Sequence, residues 1–351
     1  MSAPVHAGPT RRGFVTGSTA LGLTAGSARP AVLATGRTLL ITHPAFAGHE
    51  TGLGNPERPA RMRAVDQALS AQDFAALKRE EAPMRDDAET AILRVHSPAH
   101  LDRIRAAAAG THAEPTHLDP DTVVSAGTWE AAMRAVGAGL RAVDAVMDRD
   151  SGVANAFCQV RPPGHHAGRE TAMGFCLFNA VAIAARHARV RHWAERVAVV
   201  DFDVHHGNGT QEVFRSDHNL FYGSTHRMPW FPGTGAASET GVGNVWNAPL
   251  REGDDGGPFR AAWTGRILPA LDAFRPDLVL VSAGFDAHEG DPLGGLRLVE
   301  DDFAWVTSRI AEVAHRHCGG RIVSMLEGGY VLDALARSSA AHVRALAASA
   351  S

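Results

Sequence analysis

The sequence is poor in cysteine. Only three cysteines occur among its 351 residues, Cys158, Cys176 and Cys318, and no two of them form a C-x-x-C pair. This pattern argues against a zinc site built from cysteine pairs and against a dithiol redox motif, and the odd count excludes a complete disulfide framework. We therefore expect three buried, apolar thiols.

Long apolar runs and excess basic charge are also lacking. No run approaches the roughly 18 consecutive apolar residues of a membrane-spanning helix, so none is predicted. The formal net charge is −4, which predicts no nucleic-acid partner. The chain is 45% hydrophobic, enough for a large core. Histidine, by contrast, occurs 19 times, and several histidines are adjacent, which favours metal or acid–base chemistry.

Acidic residues are absent before Glu50. In this stretch Arg11 and Arg12 precede a mildly apolar run of small residues, a pattern typical of a signal peptide and similar to a twin-arginine export signal. We predict a cleaved signal at residues 1–34 and a periplasmic or secreted domain at residues 35–351. The alternative is a disordered leader on a cytoplasmic protein. Cleavage removes three arginines and no acid, so the net charge changes from −4 to −7.

Short apolar runs alternate with helical patterns beyond residue 37. Several predicted strands, such as Val197-Ala198-Val199-Val200, are continuous apolar runs, which is typical of parallel strands buried on both faces. The alternation predicts a single α/β domain, doubly wound, with a mostly parallel sheet and helices on both faces. Strands are predicted at 38–42, 153–159, 197–201, 220–224, 278–282 and 321–325, and helices at 58–70, 97–109, 127–147, 178–190, 257–273, 300–316 and 332–347.

Polar or glycine-rich segments follow five of these strands. Ligands of such sheets bind beyond the carboxyl ends of the strands, so we expect the five segments to form one composite site. They lie at 161–166, 201–208, 224–226, 283–291 and 327–330.

Asp201, Asp203 and His205 alternate along the second of these segments. In extended chain they would point the same way, and two carboxylates with an imidazole suit a divalent metal. The alternative is a strand end whose aspartates cap the next helix. Segment 283–292 contains four further acids or bases, any of which could complete the site, although such loops are often ordinary turns. They are Asp286, His288, Glu289 and Asp291.

His165 and His166 are adjacent in a stiff Pro-Pro-Gly loop. Their different directions suit an acid–base pair, with metal binding or a simple exposed pair as alternatives. Tyr330, one of two tyrosines, follows two glycines. Its hydroxyl could donate a hydrogen bond to a developing oxyanion, although Gly-Gly-Tyr is also an ordinary loop.

Seven ordered motifs together resemble the histone deacetylase family of the arginase/deacetylase superfamily. The segment 223–231 is similar to the same segment of bacterial members. The asparagine at position 208 is similar to the residue found in the class II-like branch, and the chain resembles acetylpolyamine amidohydrolase-like members. The motifs lie at 55–59, 161–167, 174–176, 201–210, 231–235, 290–292 and 327–330, within roughly residues 38–345.

The resemblance implies a zinc-dependent deacetylase on the arginase/deacetylase fold. It implies one catalytic zinc held by Asp203, His205 and Asp291, with an open position for water and the substrate carbonyl. It also implies a structural potassium ion near Asp201, Asp203, His205 and Ser224.

The same resemblance assigns the remaining catalytic roles. His165 and His166 would be the acid–base pair, oriented by Asp201 and Asn208, and Tyr330 would polarise the carbonyl. A narrow substrate tunnel would be lined by Phe175, Phe231, Leu298, Gly174 and Gly329.

The expected substrates are small acylated amines, acyl-lysine or acetylpolyamines. An exported enzyme would meet no histone, and its acidic charge favours cationic ligands. Asp119 and Asp121 are candidate acids at the tunnel rim, or turn residues that cap the next helix. A homo-oligomer is compatible with the family.

Three other functions remain open. An arginase-like hydrolase needs two metals and therefore further Asp or His ligands. Here Asp291 is followed by Pro292, and no aspartate lies two residues after Asp291 to bind a second metal. A non-catalytic binder of acylated ligands would usually have lost one of these residues. An ester or long-chain deacylase fits the same mechanism, depending on tunnel width.

Overall fold

A parallel sheet lies at the centre of the computed structural model, which describes residues 36–110 and 115–350. The predicted signal peptide at residues 1–34 lies outside the described residues. In chain order the strands are β1 (Thr38–Thr42), β2 (Lys78–Glu81), β3 (Thr116–His117), β4 (Val123–Val124), β5 (Asn155–Cys158), β6 (Val197–Asp201), β7 (Leu220–Arg227), β8 (Val245–Leu250), β9 (Leu278–Ala283) and β10 (Ile322–Leu326).

Eight strands form this sheet in the order β2-β1-β5-β10-β9-β6-β7-β8, and all neighbouring strands are parallel. The central strands β6 and β9 are buried at every position, because their apolar side chains are covered on both faces. The short strands β3 and β4 form a separate antiparallel hairpin.

Helices surround the sheet, and α10 packs against α1 and α9 whereas α4 packs against α5. The predicted single α/β domain is therefore confirmed for the described residues. The helices are α1 (Ala60–Leu69), α2 (Ala88–Ile92), α3 (Pro98–Ala109), α4 (Thr128–Met147), α5 (Ala180–His192), α6 (Asn208–Phe214), α7 (Gly256–Ala262), α8 (Leu268–Phe274), α9 (Glu300–Cys318) and α10 (Leu332–Ser349).

The two edge strands of the sheet, β2 and β8, were not predicted from the sequence. β2 reads Lys-Arg-Glu-Glu and is mostly exposed, since charged residues are tolerated where one side of a strand has no partner. β8 contains Pro249, which an edge strand also tolerates. The predicted helix at 257–273 is divided by a π-helical turn, Trp263–Ile267, between α7 and α8. The short helices α2 and α6 were also not predicted.

All parallel strands end at the same edge, so the five polar segments meet there, as predicted. The three cysteines are buried and free, which confirms that prediction. Among residues 36–110 and 115–350, no helix has the length and apolarity needed to cross a membrane.

Candidate active site

The metal-ligand candidates of β6 lie just beyond the carboxyl end of that strand. β6 ends at Asp201, and a turn follows. Asp201 Oδ1 accepts a hydrogen bond from the N–H of Asp203 at 3.1 Å, and Asp203 Oδ1 accepts one from the N–H of His205 at 2.9 Å. The Asp203 and His205 side chains therefore converge through a turn fixed by carboxylates, and not through the extended chain predicted from the sequence.

Asp203, His205 and Asp286 form a buried group of possible ligands. His205 Nδ1 lies 3.0 Å from Asp203 Oδ1 and 3.2 Å from Asp286 Oδ2, and the three ligand atoms lie within 4.8 Å of one another. Asp286 Oδ2 is buried and makes no hydrogen bond. An imidazole and two carboxylates, one with an unpaired oxygen, fit a divalent transition metal such as zinc.

The charges of this group also favour a cation. Burial, together with the nearby carboxylate of Asp203, raises the pKa of Asp286 to about 7. Burial opposes a charge on His205, but Asp203 and Asp286 outweigh it and raise the pKa of that imidazole to about 10. Without a metal, bound protons neutralise part of the negative charge of the crowded carboxylates. A divalent ion would neutralise this charge instead.

Asp291, the ligand predicted from the resemblance, is not part of this group. Its Oδ2 accepts a hydrogen bond from the N–H of Tyr330 at 2.7 Å, and its Oδ1 accepts one from the N–H of Leu293 at 3.0 Å. Asp291 therefore stays a predicted ligand, and the structure offers Asp286 as a second candidate for the third position. Asp286 follows the end of β9 closely, whereas Asp291 lies beyond the next turn, and spacing alone did not separate these two acids.

His165 and His166 stand side by side, with their ring centroids 4.0 Å apart. His165 Nδ1 lies 3.0 Å from Asp201 Oδ2, and His166 Nδ1 lies 2.8 Å from Asn208 Oδ1. An amide oxygen only accepts, so His166 carries its proton on Nδ1 and keeps Nε2 free. The structure thus brings together each predicted histidine and its predicted orienting residue.

The two histidines differ in charge. Burial disfavours a charge on His165, but the carboxylates of Asp201 and Asp203 raise its pKa to about 10. Burial and the neighbouring His165 place the pKa of His166 well below its usual value. Two titratable groups with opposite shifts are typical of an acid–base pair.

A buried glutamate, Glu327, supports the histidine loop. Its Oε2 accepts hydrogen bonds from the N–H of Gly164 at 2.6 Å and of His165 at 3.2 Å, and its Oε1 accepts one from the Ser282 hydroxyl at 3.0 Å. Burial raises the pKa of Glu327 to about 7. The only sequence signal for this role is the position of Glu327 in the segment at 327–330.

The loop of Tyr330 is fixed by a buried arginine. Arg61 Nε donates to the carbonyl of Gly329 at 2.6 Å, and Arg61 Nη2 donates to the carbonyl of Glu327 at 2.5 Å. The Arg61 guanidinium also lies 5.2 Å from the centre of the Tyr330 ring. The backbone on both sides of the two glycines before Tyr330 is therefore held by Arg61.

Arg61 is itself held by Glu57. Glu57 Oε1 accepts from Arg61 Nη1 at 3.0 Å and from Arg161 Nε at 2.6 Å, and Glu57 Oε2 accepts from Arg161 Nη2 at 2.8 Å. All three side chains are fully buried. The only sequence signal for these two residues is the position of Glu57 in the motif at 55–59.

A cavity of about 420 Å³ opens above the ligand group. Phe175 packs edge-on against Tyr330, and Phe231 packs edge-on against His166 and His205. The cavity is lined by Asn55, Pro56, Pro120, Asp121, His166, Gly174, Phe175, His205, Trp230, Phe231, Leu293 and Tyr330. A mostly apolar wall with a few polar groups at one end is typical of a small-molecule site.

Two predicted tunnel residues, Leu298 and Gly329, are not among the residues that line this cavity. Leu298 is fully buried in the hydrophobic core, and Leu293 is the leucine that lines the cavity. Gly329 is absent from the lining and supports the site through its carbonyl, which accepts from Arg61.

Gly174 has no room for a side chain. Its φ is +57°, and a Cβ would lie 2.5 Å from His166 Cδ2. We expect Gly174→Ala to displace the His166 ring and to lower kcat by about 100-fold, because a shift of about 1 Å in a catalytic group has that effect. Steady-state kinetics checks this expectation. Gly233→Ala is the matched control, since Gly233 has a φ of +85° with nothing within 4 Å of a Cβ; equal losses in both variants would contradict the clash.

Ser224 faces Asp201 across neighbouring strands. The two residues are register partners in β6 and β7, and Ser224 Oγ lies 2.9 Å from His226 Nδ1. The potassium ion predicted near Asp201, Asp203, His205 and Ser224 stays a prediction.

Asp119 and Asp121 have separate roles. Asp119 Oδ1 accepts from the N–H of Asp121 at 3.0 Å and of Thr122 at 2.6 Å, so it fixes the turn between β3 and β4. Asp121 lines the cavity, and burial together with the neighbouring Asp119 raises its pKa. Asp121 is therefore the acid available to a ligand.

Known proteins resemble both the sequence and the fold. The family model described as histone deacetylase domain matches residues 55–346. An uncharacterised protein of Synechocystis sp. is 42% identical over 296 residues, which cover 84% of this chain and 94% of that protein. The histone deacetylase-like amidohydrolase of Pseudomonas aeruginosa is 38% identical over 296 residues, which cover 83% of this chain and 74% of that protein. The crystal structure of the HDA15 HD domain has a TM-score of 0.83 at 33% identity and covers 90% of this chain and 89% of that chain.

Proposed function

Because the chain belongs to the histone deacetylase family, we propose that it is a zinc-dependent deacylase that releases an acyl group from an amine nitrogen. Family membership supports the coarser class, a hydrolase of the deacetylase or amidohydrolase kind. The finer proposal depends on one observation: the buried group of Asp203, His205 and Asp286 lies beside a cavity that His166 and Tyr330 also line.

The proposed reaction divides between the metal and the protein. A divalent ion held by Asp203, His205 and Asp286 would, when bound, make a water more acidic and polarise the acyl carbonyl. His166 keeps Nε2 free because its Nδ1 donates to Asn208, so His166 accepts the proton of the attacking water. His165, paired with Asp201, then protonates the leaving amine.

Tyr330 supplies the remaining stabilisation. Its hydroxyl donates a hydrogen bond to the carbonyl oxygen as negative charge develops there. The loop is fixed before the substrate arrives, because Arg61 and Asp291 hold its backbone. A group positioned in advance does not need to reorganise during the reaction.

Small cationic acylated amines are the proposed substrate class, with acyl-lysine and acetylpolyamines as examples. Asp121 in the cavity wall favours a cation, and a chain exported as predicted would meet no histones. N-terminal sequencing of the protein from cells tests the export: a mature chain that still begins at Met1 would contradict it.

The proposal is tested by hydrolysis of an acylated panel with the zinc-loaded protein. The panel holds acetyl-lysine peptide, acetylputrescine, acetylspermidine, a trifluoroacetyl-lysine reporter and an aryl ester. We expect turnover of amides, with kcat lowered by about 10²–10³-fold in Tyr330→Phe and by about 10²–10⁴-fold in His166→Ala. Metal content should not change in either variant.

Other outcomes identify the alternatives. Acylated amines that bind to the zinc-loaded protein without turnover would indicate a binding protein, and turnover of the ester alone would indicate an esterase. Two metal ions required for turnover would favour the arginase-like reaction. Full activity in Tyr330→Phe would remove the oxyanion role.

A further inference from the structure

A second group of possible metal ligands lies between the C-terminal ends of α4 and α5. α5 begins beside the catalytic loop, where the Asn179 side chain donates to the carbonyl of Ala167 at 3.2 Å. The helix has 13 residues, so its other end lies roughly 20 Å away, at 1.5 Å per residue. The group there is separate from the site of the proposed deacylation.

Two imidazoles meet one carboxylate oxygen in this group. His187 Nε2 and His192 Nε2 each lie 2.7 Å from Asp144 Oδ1, and the three ligand atoms lie within 4.8 Å of one another. His187 comes from the buried face of α5 and His192 from its last residue, while Asp144 lies near the end of α4. Two imidazole nitrogens and one carboxylate are a common ligand set for transition metals.

The two oxygens of Asp144 have different partners: Arg85 binds Oδ2, and the two imidazoles face Oδ1. Arg85 Nη1 donates to Asp144 Oδ2 at 2.6 Å, and Arg85 is held in turn by Asp87 at 2.8 and 3.0 Å. Partners of this kind orient ligating carboxylates in metal sites. The two aspartates and one arginine sum to one negative charge, so a cation is not repelled.

Access and rigidity also fit a metal site. The His187 side chain is fully buried, whereas those of His192 and Asp144 are 23% and 30% exposed. His187 therefore loses little side-chain entropy when it binds a metal. The partly exposed side at His192 and Asp144 leaves room for an ion to enter with coordinating waters.

We propose that His187, His192 and Asp144 form a second site for a zinc-like divalent transition metal, which links α4 to α5. The site is structural in effect, since a ligand bound only by the folded state stabilises that state. The competing arrangement is a hydrogen-bonded group without metal. The two arrangements need opposite tautomers: hydrogen bonding to Asp144 requires protons on both Nε2 atoms, whereas metal binding requires both Nε2 atoms to be free.

Metal stoichiometry and histidine NMR test this proposal. The purified protein, stripped and then reloaded in buffered free zinc, is expected to bind one equivalent more than His192→Gln, whatever the state of the catalytic site. Zinc should also raise the Tm of Asp286→Asn, and this rise should disappear in the Asp286→Asn/His192→Gln double variant. Zinc should shift the nitrogen signals of His187 and His192 to the Nδ1-protonated form.

The matched control is His317→Gln. His317 Nε2 lies 2.8 Å from Asp272 Oδ1 at the end of α9, so it makes the same kind of contact but has no second imidazole in the contact. We expect no loss of metal in this variant. Equal metal content in the wild type and His192→Gln, with the His187 and His192 signals unmoved by zinc, would overturn the proposal. Because neither readout is an activity, failure of the deacylase proposal would not affect this result.

Discussion

Asp286→Asn is expected to lose zinc from the catalytic group, whereas Asp291→Asn is expected to keep it. Asp286 Oδ2 is the buried oxygen without a hydrogen bond, and it lies 3.2 Å from His205 Nδ1. An amide supplies no negative charge to the ion. We expect the zinc affinity of the group to fall by more than about 100-fold, since loss of even an outer partner costs about 10–100-fold.

The effect of Asp291→Asn should be kinetic. Asp291 accepts hydrogen bonds from the backbone of Tyr330 and Leu293, so its replacement loosens the tyrosine loop but leaves the group of Asp203, His205 and Asp286 unchanged. We expect a lower kcat with normal zinc content.

Elemental analysis measures the zinc content of the two variants, and isothermal titration measures their zinc affinity. Each variant also carries His192→Gln, so that only zinc at the catalytic group is counted. Zinc loss in Asp291→Asn together with zinc retention in Asp286→Asn would restore the ligand set predicted from sequence.

The second large effect is expected at Glu57. This fully buried carboxylate joins Arg61 and Arg161, and Glu57→Gln would leave two buried guanidinium groups without a counter-charge. Breaking a buried ion pair by removing one partner costs about 3–5 kcal/mol. We expect the free energy of unfolding to fall by that amount, and kcat to fall as well because Arg61 no longer fixes the Tyr330 loop.

The same carboxylate makes the effect depend on pH. Burial alone would raise the pKa of Glu57, but Arg161 and Arg61 outweigh it and lower the pKa from 4.5 to about 2. A lowered pKa stabilises the fold above pH 4.5, and this stabilisation is lost as pH falls toward 2. The difference in stability between wild type and Glu57→Gln should therefore shrink over that range.

Urea denaturation at several pH values measures this difference. Glu130→Gln is the control, because Glu130 pairs with Arg134 on an exposed part of α4 at 2.8 Å and exposed pairs contribute about 0–1 kcal/mol. A Glu57→Gln variant no less stable than Glu130→Gln, or a difference that grows at low pH, would contradict the assigned role.

The central strands and long helices were predictable because their pattern is local. β6 and β9 are continuous apolar runs, and α9 and α10 begin and end close to their predicted bounds. The edge strand β2 was not predictable in this way, because its Lys-Arg-Glu-Glu sequence is tolerated only through its place beside β1.

The candidate site was likewise predictable only in the part that depends on local sequence. Sequence alone determined that polar residues follow five strands, and its resemblance to the family predicts that Asp203, His205, His165, His166 and Tyr330 carry the chemistry of the site. Strand order then brings those strand ends together, because parallel strands end at one edge.

Only the tertiary structure decided which residue of each loop reaches the site. Among the acids of segment 283–292, Asp286 groups with Asp203 and His205, and Leu293 lines the cavity; Asp291 as a ligand and Leu298 as a tunnel residue stay predictions. The Asp291 carboxylate fixes the turn that leads to Leu293 and holds the backbone of Tyr330. The buried Glu57–Arg161 and Glu57–Arg61 pairs likewise join residues distant in the chain. A local pattern sets the face of a strand or helix, whereas a side chain's direction in a loop is set by partners that only the folded chain brings near.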